Sequence, residues 1–301
     1  LIKGVKKMKI KLLIISIIMT ITAWTSVASA YDGKINFMLP SRAGGATGGS
    51  AIALTEAMNE NGAKTHIAFL GNCKLGKTVY THNEDPFMMV LPATLQPKCG
   101  FQDEPSPDTF VKILTIEGLS IVKHKGRDDL SLEHFLDPNS EKTIGVNGSA
   151  MFLVESWMAD NNDDSPILMF GNSGATAQAS VSNDADYWVL KNTYVSQQLD
   201  RLEVLATASS TPQDWIDAPA LGQEAPHFKY PDILWANYAI IKGFDEEDRQ
   251  AVIDIVMDAY DNESFQNYIS RPGMVNTSDM SFEDAYKLVR TIQEPYLTLN
   301  K

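Results

Sequence analysis

The chain has 301 residues, 44% of them hydrophobic, and a formal charge of -13. That length and apolar content can fill the core of one large or two modest domains, and the acidic balance disfavours nucleic acid or an anionic lipid surface as a partner. With only two cysteines, Cys73 and Cys99, a CxxC redox or zinc framework is excluded.

The first thirty residues read as a signal peptide. Lys3, Lys6, Lys7, Lys9 and Lys11 precede an apolar run from Leu12 to Trp24, and Ala28-Ser29-Ala30 fits a cleavage site. The run is too short to span a bilayer comfortably; an uncleaved anchor is the alternative. Translation is expected to start at Met8 and the mature chain, Tyr31 to Lys301, to be periplasmic. Loss of the five lysines takes its charge to about -18.

The mature chain opens with an apolar strand, Ile35 to Leu39, that runs into Pro40-Ser41-Arg42-Ala43-Gly44-Gly45-Ala46-Thr47-Gly48-Gly49-Ser50 and then a helix from about Ala51 to Glu60. Glycines there let backbone approach a ligand, and the unpaired N–H groups of a helix start favour an anion. A tight turn with no ligand is the plainer reading. Thr65 to Leu70 follows as a second strand, so strand, helix and strand make a βαβ unit with the glycine turn at the carboxyl end of its first strand.

Pro86 to Leu91 is a third strand whose end presents Thr94, and Gln96 to Asp108 is a proline-punctuated loop. An even cysteine count in an exported chain predicts a Cys73–Cys99 disulfide, two buried thiols being the alternative. Val111 to Val122 returns to strand character, and Ser131 caps a short helix to Phe135. Thr143 to Asn147 and Ile167 to Phe170 then repeat the opening logic. Each short apolar strand breaks at Asn-Gly-Ser or Gly-Asn-Ser before a helix, one through Met158 and one from Ala175 to Val181. Asp186–Leu190, Leu202–Thr207 and Ile233–Ile241 read as further strands, and Thr211 to Pro231 as a loop. Two amphipathic helices close the chain, one opened by Asp245-Glu246-Glu247 and one by Ser281 with Asp284.

This order of segments resembles the substrate receptors of tripartite tricarboxylate transporters, the Bug-type extracytoplasmic binding proteins. The likeness covers nearly the whole mature chain. Pro40 to Gly48 is similar to that family's strand-Pro-x-x-x-Gly-Gly-x-Thr-Asp turn, with Gly48 in place of the acid. Phe170 to Asp186 is similar to its Tyr-Lys-Gly-Ser stretch ending in Val-Asp, which here reads Ala185-Asp186. The resemblance implies an α/β, two-lobe periplasmic-binding-protein-like (Venus flytrap) fold. Lobe 1 is expected at 31–122 with 228–301, and lobe 2 at 123–227.

On this reading the protein is a monomeric receptor, not an enzyme, that captures a small carboxylate and delivers it to the permease subunits of such a transporter. Backbone and side chains of Ser41, Arg42, Ala43, Gly44, Gly45 and Thr47 receive a carboxylate, with Arg42 as a bidentate clamp. Thr94, Asn147, Gly148, Ser149, Asn172, Ser173 and Thr176 bind the remainder. Asp186 stands at a family-acidic position and serves either a cationic ligand group or a neighbouring helix end. Trp188 and Trp235 are assigned to the core as indoles inside strands, lining of the cleft being the alternative. The five histidines show no metal spacing, so neither metal nor other cofactor is expected. A ligand-sensing module for a signalling system is the alternative. A hydrolase using Ser173 is weaker, because Gly171-Asn172-Ser173-Gly174 is not GxSxG.

Overall fold

A computed structural model of the chain describes residues 31, 33–41, 44–95, 99–101, 103–148, 150–232 and 234–299. The expected signal peptide, Arg42, Ala43 and Ser149 lie outside them. Among the described residues no helix is long and apolar enough to cross a membrane.

Two βαβ units with the same topology form the two ends of one ten-stranded sheet. In the first, β1 (Lys34–Leu39) leads through α1 (Ala46–Glu60) to β2 (Lys64–Phe69), paired in parallel from Lys34↔Lys64 to Leu39↔Phe69. After α2 (Cys73–His82), β3 (Phe87–Pro92) pairs in parallel on the other side of β1. In the second, β5 (Ile144–Asn147) leads through α4 (Met151–Asn161) to β6 (Ile167–Phe170), and after α5 (Ser173–Ser182) the strand β7 (Tyr187–Lys191) lies on the other side of β5. The short helix α3 (Leu132–Leu136) precedes β5. Strand order is thus 2-1-3 at one end and 7-5-6 at the other. Each end reverses its winding at its first strand, and such a switch point leaves an open crevice at the strands' carboxyl ends.

The 15-residue β4 (Phe110–His124) joins the ends. Its first half pairs antiparallel with β9 (Leu234–Lys242), and from Leu119 onward it pairs with β7 and with β8 (Leu202–Thr207). At the changeover stands Gly118, where a Cβ would meet the side-chain amide of Asn192, the first residue of α6 (Asn192–Ser196), at 2.8 Å, so a larger residue would displace that side chain. Both sheet faces are covered at each end. At the first end Met88 and Val90 pack with Leu54, Val256 and Tyr260 on one side, while Phe87, Met89 and Leu91 pack with Phe101 and Val289 on the other. This explains why β3 is apolar throughout rather than alternating. The helices α7 (Leu221–Glu224), α8 (Glu246–Tyr260), α9 (Glu263–Ile269) and α10 (Phe282–Leu299) complete the layers, with β10 (Met274–Val275) beside β4.

Two helix starts differ from expectation. Helix α1 begins at Ala46, not near Ala51, and α5 at Ser173, not Ala175. For α1 a tertiary bond overrides glycine's poor propensity: Thr47 Oγ1 donates to buried Asn237 Oδ1 at 2.7 Å and pins the first turn. Helix α2 escapes the apolar periodicity because only Gly76 in it is buried; Asn72 caps it by accepting from Leu75 N–H. The Cys73–Cys99 disulfide is present, with Cα atoms 5.4 Å apart, and fastens α2's first residue to the chain beyond β3. It closes a 26-residue separation. The Cys73→Ser/Cys99→Ser variant should therefore lose about 3 kcal/mol of unfolding free energy, read from its urea midpoint.

Candidate functional site

A cleft of about 370 Å3 opens where the carboxyl ends of the parallel strands of both units converge. From the first unit come Ser41, Gly45, Ala46 and Thr47 after β1, Gly71 and Cys73 after β2, and Pro92 and Thr94 at β3, with Cys99 beside them. The second gives Asn147, Gly148 and Phe152 after β5, Gly171, Asn172 and Ser173 after β6, and Lys191 at the end of β7. Trp235 of β9 lies between the two sets. The two units meet across it: a Cβ on Gly174 would stand 2.8 Å from the Gly44 carbonyl oxygen, so only a bare backbone lets α5 approach the glycine turn this closely.

The helices that start at the cleft differ from the rest in charge. No acid occupies the first turn of α1, α2, α4, α5 or α6. Each of α3, α7, α8, α9 and α10 carries at least one. An acid at a helix start offsets the positive end of the dipole. Where the helices aim at the cleft, that end is left uncompensated. The cleft's described lining contains no Asp or Glu and a single cation, Lys191.

Three polar atoms in this lining are buried without a hydrogen-bond partner: Ser41 Oγ, Lys191 Nζ and Trp235 Nε1. Lys191 is 1% exposed. Its Nζ lies 3.2 Å from Glu117 Oε1 of β4, an ion-pair distance without hydrogen-bond alignment, and 3.6 Å from the centre of the Trp235 ring. Burial lowers the ammonium pKa to about 8, with Glu117 pulling the other way. Glu117 is further held by the Thr193 hydroxyl, which donates to its Oε2. Orphaned buried donors cost stability, so their clustering in one crevice marks a place where a ligand supplies the acceptors.

Of the residues singled out in the sequence, Ser41, Gly45, Thr47, Thr94, Asn147, Gly148, Asn172 and Ser173 line the cleft, as do both cysteines. Several are already bonded: Asn172 caps α5 by accepting from Ala175 N–H, Asn147 donates to Ser173 Oγ at 3.3 Å, and Thr47 is held by Asn237. Gly44 contributes the cross-cleft carbonyl. Thr176 is fully buried beneath the cleft, its hydroxyl donating to Asn172 O at 2.8 Å. Asp186 is not in the lining: its carboxylate accepts from the N–H and hydroxyl of Thr143 and from Arg127, tying the start of β7 to the start of β5. Trp188 packs in the core against Phe170, but Trp235, assigned to the core from its strand position, faces the cleft as well. Lys191 was not foreseen. It sits in a fully buried strand and no spacing marks it; the one available signal was a charge ending an otherwise apolar run, Tyr187 to Leu190. Among the described residues no group of three or more His, Cys, Asp or Glu is placed to hold a metal ion.

No family model and no curated protein sequence matches the chain. Solved structures do. MatC from Rhodopseudomonas palustris with bound malate superposes with a TM-score of 0.71 at 16% identity, over 90% of this chain and all of that one. The chain has the two-lobe periplasmic-binding-protein fold. The periplasmic binding protein BugD gives 0.71 at 13% identity, over 90% of this chain and 96% of its own. Rpa4515 of R. palustris with adipate gives 0.70 at 12% identity, over 89% and 97%.

The Asp186 bonds carry a pH dependence. Burial alone would raise its carboxyl pKa, but the Thr143 bonds and the Arg127 guanidinium together outweigh it and hold the group below the usual carboxylate range. A depressed folded pKa gives stability that is complete above the unfolded value of about 4 and lost as pH falls through the folded one. The urea midpoint of Asp186→Asn should therefore fall less between pH 5 and pH 2 than that of the unaltered protein.

Proposed function

We propose that the protein is an extracytoplasmic solute-binding receptor that captures a small organic acid between two lobes, residues 31–122 with 228–301 and residues 123–227. It delivers that acid to the membrane permease of a tripartite tricarboxylate-type transporter. The observation that carries this reading is the electrostatic partition of the helices: in a chain with 38 acidic residues, every helix that begins at the cleft among the described residues keeps its first turn free of them. Such a crevice attracts an anion while the acidic exterior repels nucleic acid and anionic lipid. Malate and adipate in two structures of the same fold support a carboxylate in particular. A hydrolase is disfavoured, because the described lining around Ser173 holds no histidine or carboxylate to activate its hydroxyl. Periplasmic residence follows from the signal-peptide pattern and accords with the disulfide.

A thermal-shift screen of small mono-, di- and tricarboxylates on the 31–301 protein tests the reading. An acid at 100 times its Kd should add about 2.7 kcal/mol of stability and raise Tm by several degrees; a flat response across the whole panel rejects the receptor. Closure is tested separately. In Gly174→Ala the new Cβ meets backbone of the other unit, which can yield only by parting the lobes, so affinity for the identified acid should drop about tenfold with the fold intact by circular dichroism.

A further inference from the structure

We propose, building on the receptor reading, that Lys191 is the specificity-determining residue of the cleft: its ammonium, with the indole N–H of Trp235 and the hydroxyl of Ser41, grips a carboxylate of the ligand directly and rejects the uncharged amide. The ligand class is thus a small acid ionised at the end that reaches the cleft floor.

Lys191 ends β7 in one unit, and the two groups that face it, Glu117 and Trp235, are register partners on β4 and β9. The ammonium is therefore held at the seam between the units. Glu117 restrains it from behind without consuming its N–H bonds, and the Trp235 face holds it by cation–π attraction. Two of the unpartnered donors, Nζ and the indole Nε1, belong to side chains in contact, and Ser41, which carries the third, lines the same cleft just after β1. A carboxylate supplies acceptors for all three, whereas an amide of the same shape brings its own N–H groups against the ammonium and the indole N–H and adds no negative charge beside the ammonium. Glu117 already pairs that ammonium through one oxygen, and its second oxygen is engaged by Thr193.

The ammonium must be charged to act, which adds a readout. Burial depresses its pKa to about 8 in the empty cleft. An acid that binds only the charged form loses affinity as pH rises past that value, about tenfold per unit at the limit. The other ionisable groups near Glu117, the phenols of Tyr194 on α6 and Tyr268 on α9, are pushed up by burial and then by Glu117's charge, and stay neutral over this range.

The experiment is calorimetry on the 31–301 protein with malate, adipate, hexanoate and benzoate, each alongside its amide counterpart. Lys191→Met alone strands a buried Glu117 charge and can unfold the protein, so the decisive variant is Lys191→Met/Glu117→Gln, which removes both charges and keeps an acceptor for Thr193. For the acid that binds best, the double variant should lose about 10- to 100-fold in affinity, lose the preference for acid over amide, and show no decline above pH 8. Trp235→Phe, which keeps the aromatic face and deletes only the N–H, should weaken the acid severalfold. Unchanged affinity and an unchanged acid-over-amide ratio in the folded double variant overturn the role of Lys191 while leaving the receptor standing. Equal losses for acid and amide overturn it too, as the mark of a structural role. If none of the four acids binds the unaltered protein, both readings fall together.

Discussion

The buried amide of Asn237 is the joint on which the cleft depends. Its Oδ1 accepts from Thr47 in the first turn of α1, and its Nδ2 donates to Thr115 Oγ1 at 2.8 Å on β4, with all three residues buried. A polar triad of this kind is costly unless every member is satisfied, so it permits one arrangement of glycine turn, β9 and β4. The first turn of α1 is consequently tied to β9 and β4, the strands of the cleft floor, and needs no ligand to place it. Preorganisation of this sort spares a ligand the cost of ordering loops on arrival.

The same floor carries charge from the other unit. Lys191 and Glu117 are both shut away from solvent, and neither would survive alone there. Their pairing spans β7 and β4, so it also stitches the second unit to the connecting strand. The arrangement differs from the buried pair Lys142–Asp163 at 2.7 Å, where Lys142 also donates to Asp137 O and to Ser140 Oγ and its capacity is taken up. Lys191 has a partner for its charge and spare donors for something else. Around it the acid-free helix starts add their dipoles in the same sense, so a field favouring anions is built from several weak, separately placed contributions.

Much of this was legible in the sequence, and the part that was not has a physical cause. Strand, glycine turn and helix recurring after Leu39, Asn147 and Phe170 gave the α/β layout and seven of the lining positions, with Thr94 read from the end of β3, because backbone donors at a strand-to-helix turn are a local property. The cysteine pair was readable from parity and compartment. Asp186 stayed open between two roles, since an acid at a strand start looks alike whether it faces a ligand or, as here, Thr143 and Arg127. Lys191 stayed hidden, and Trp235 was assigned to the core over the cleft, for the opposite reason. Their roles arise from strands far apart in the chain being brought side by side, Glu117 against Trp235 and Leu119 against Lys191, and a register between remote strands leaves no mark on a single segment. Helix α2 was missed because its hold on the fold comes from the disulfide and the Asn72 cap more than from an apolar stripe.

The connections between the units determine how they can move. Besides β4 and the chain returning to β9, α10 spans them: Ala285, Val289 and Ile292 pack in the core behind β3 and β9, while Tyr296 packs in the core behind β5 and β7. A helix anchored in two cores resists sliding of one unit past the other, since either end would have to leave a close-packed site, and Pro295 stands between the two anchors. The link between the units runs through Gly118, where β4 changes partners, and the Glu117–Lys191 pair lies beside it. The close approach of Gly174 to the Gly44 carbonyl is a second contact between the units, made by different elements. Under the proposed function, charge recognition beside the first contact and closure through the second are therefore separable events.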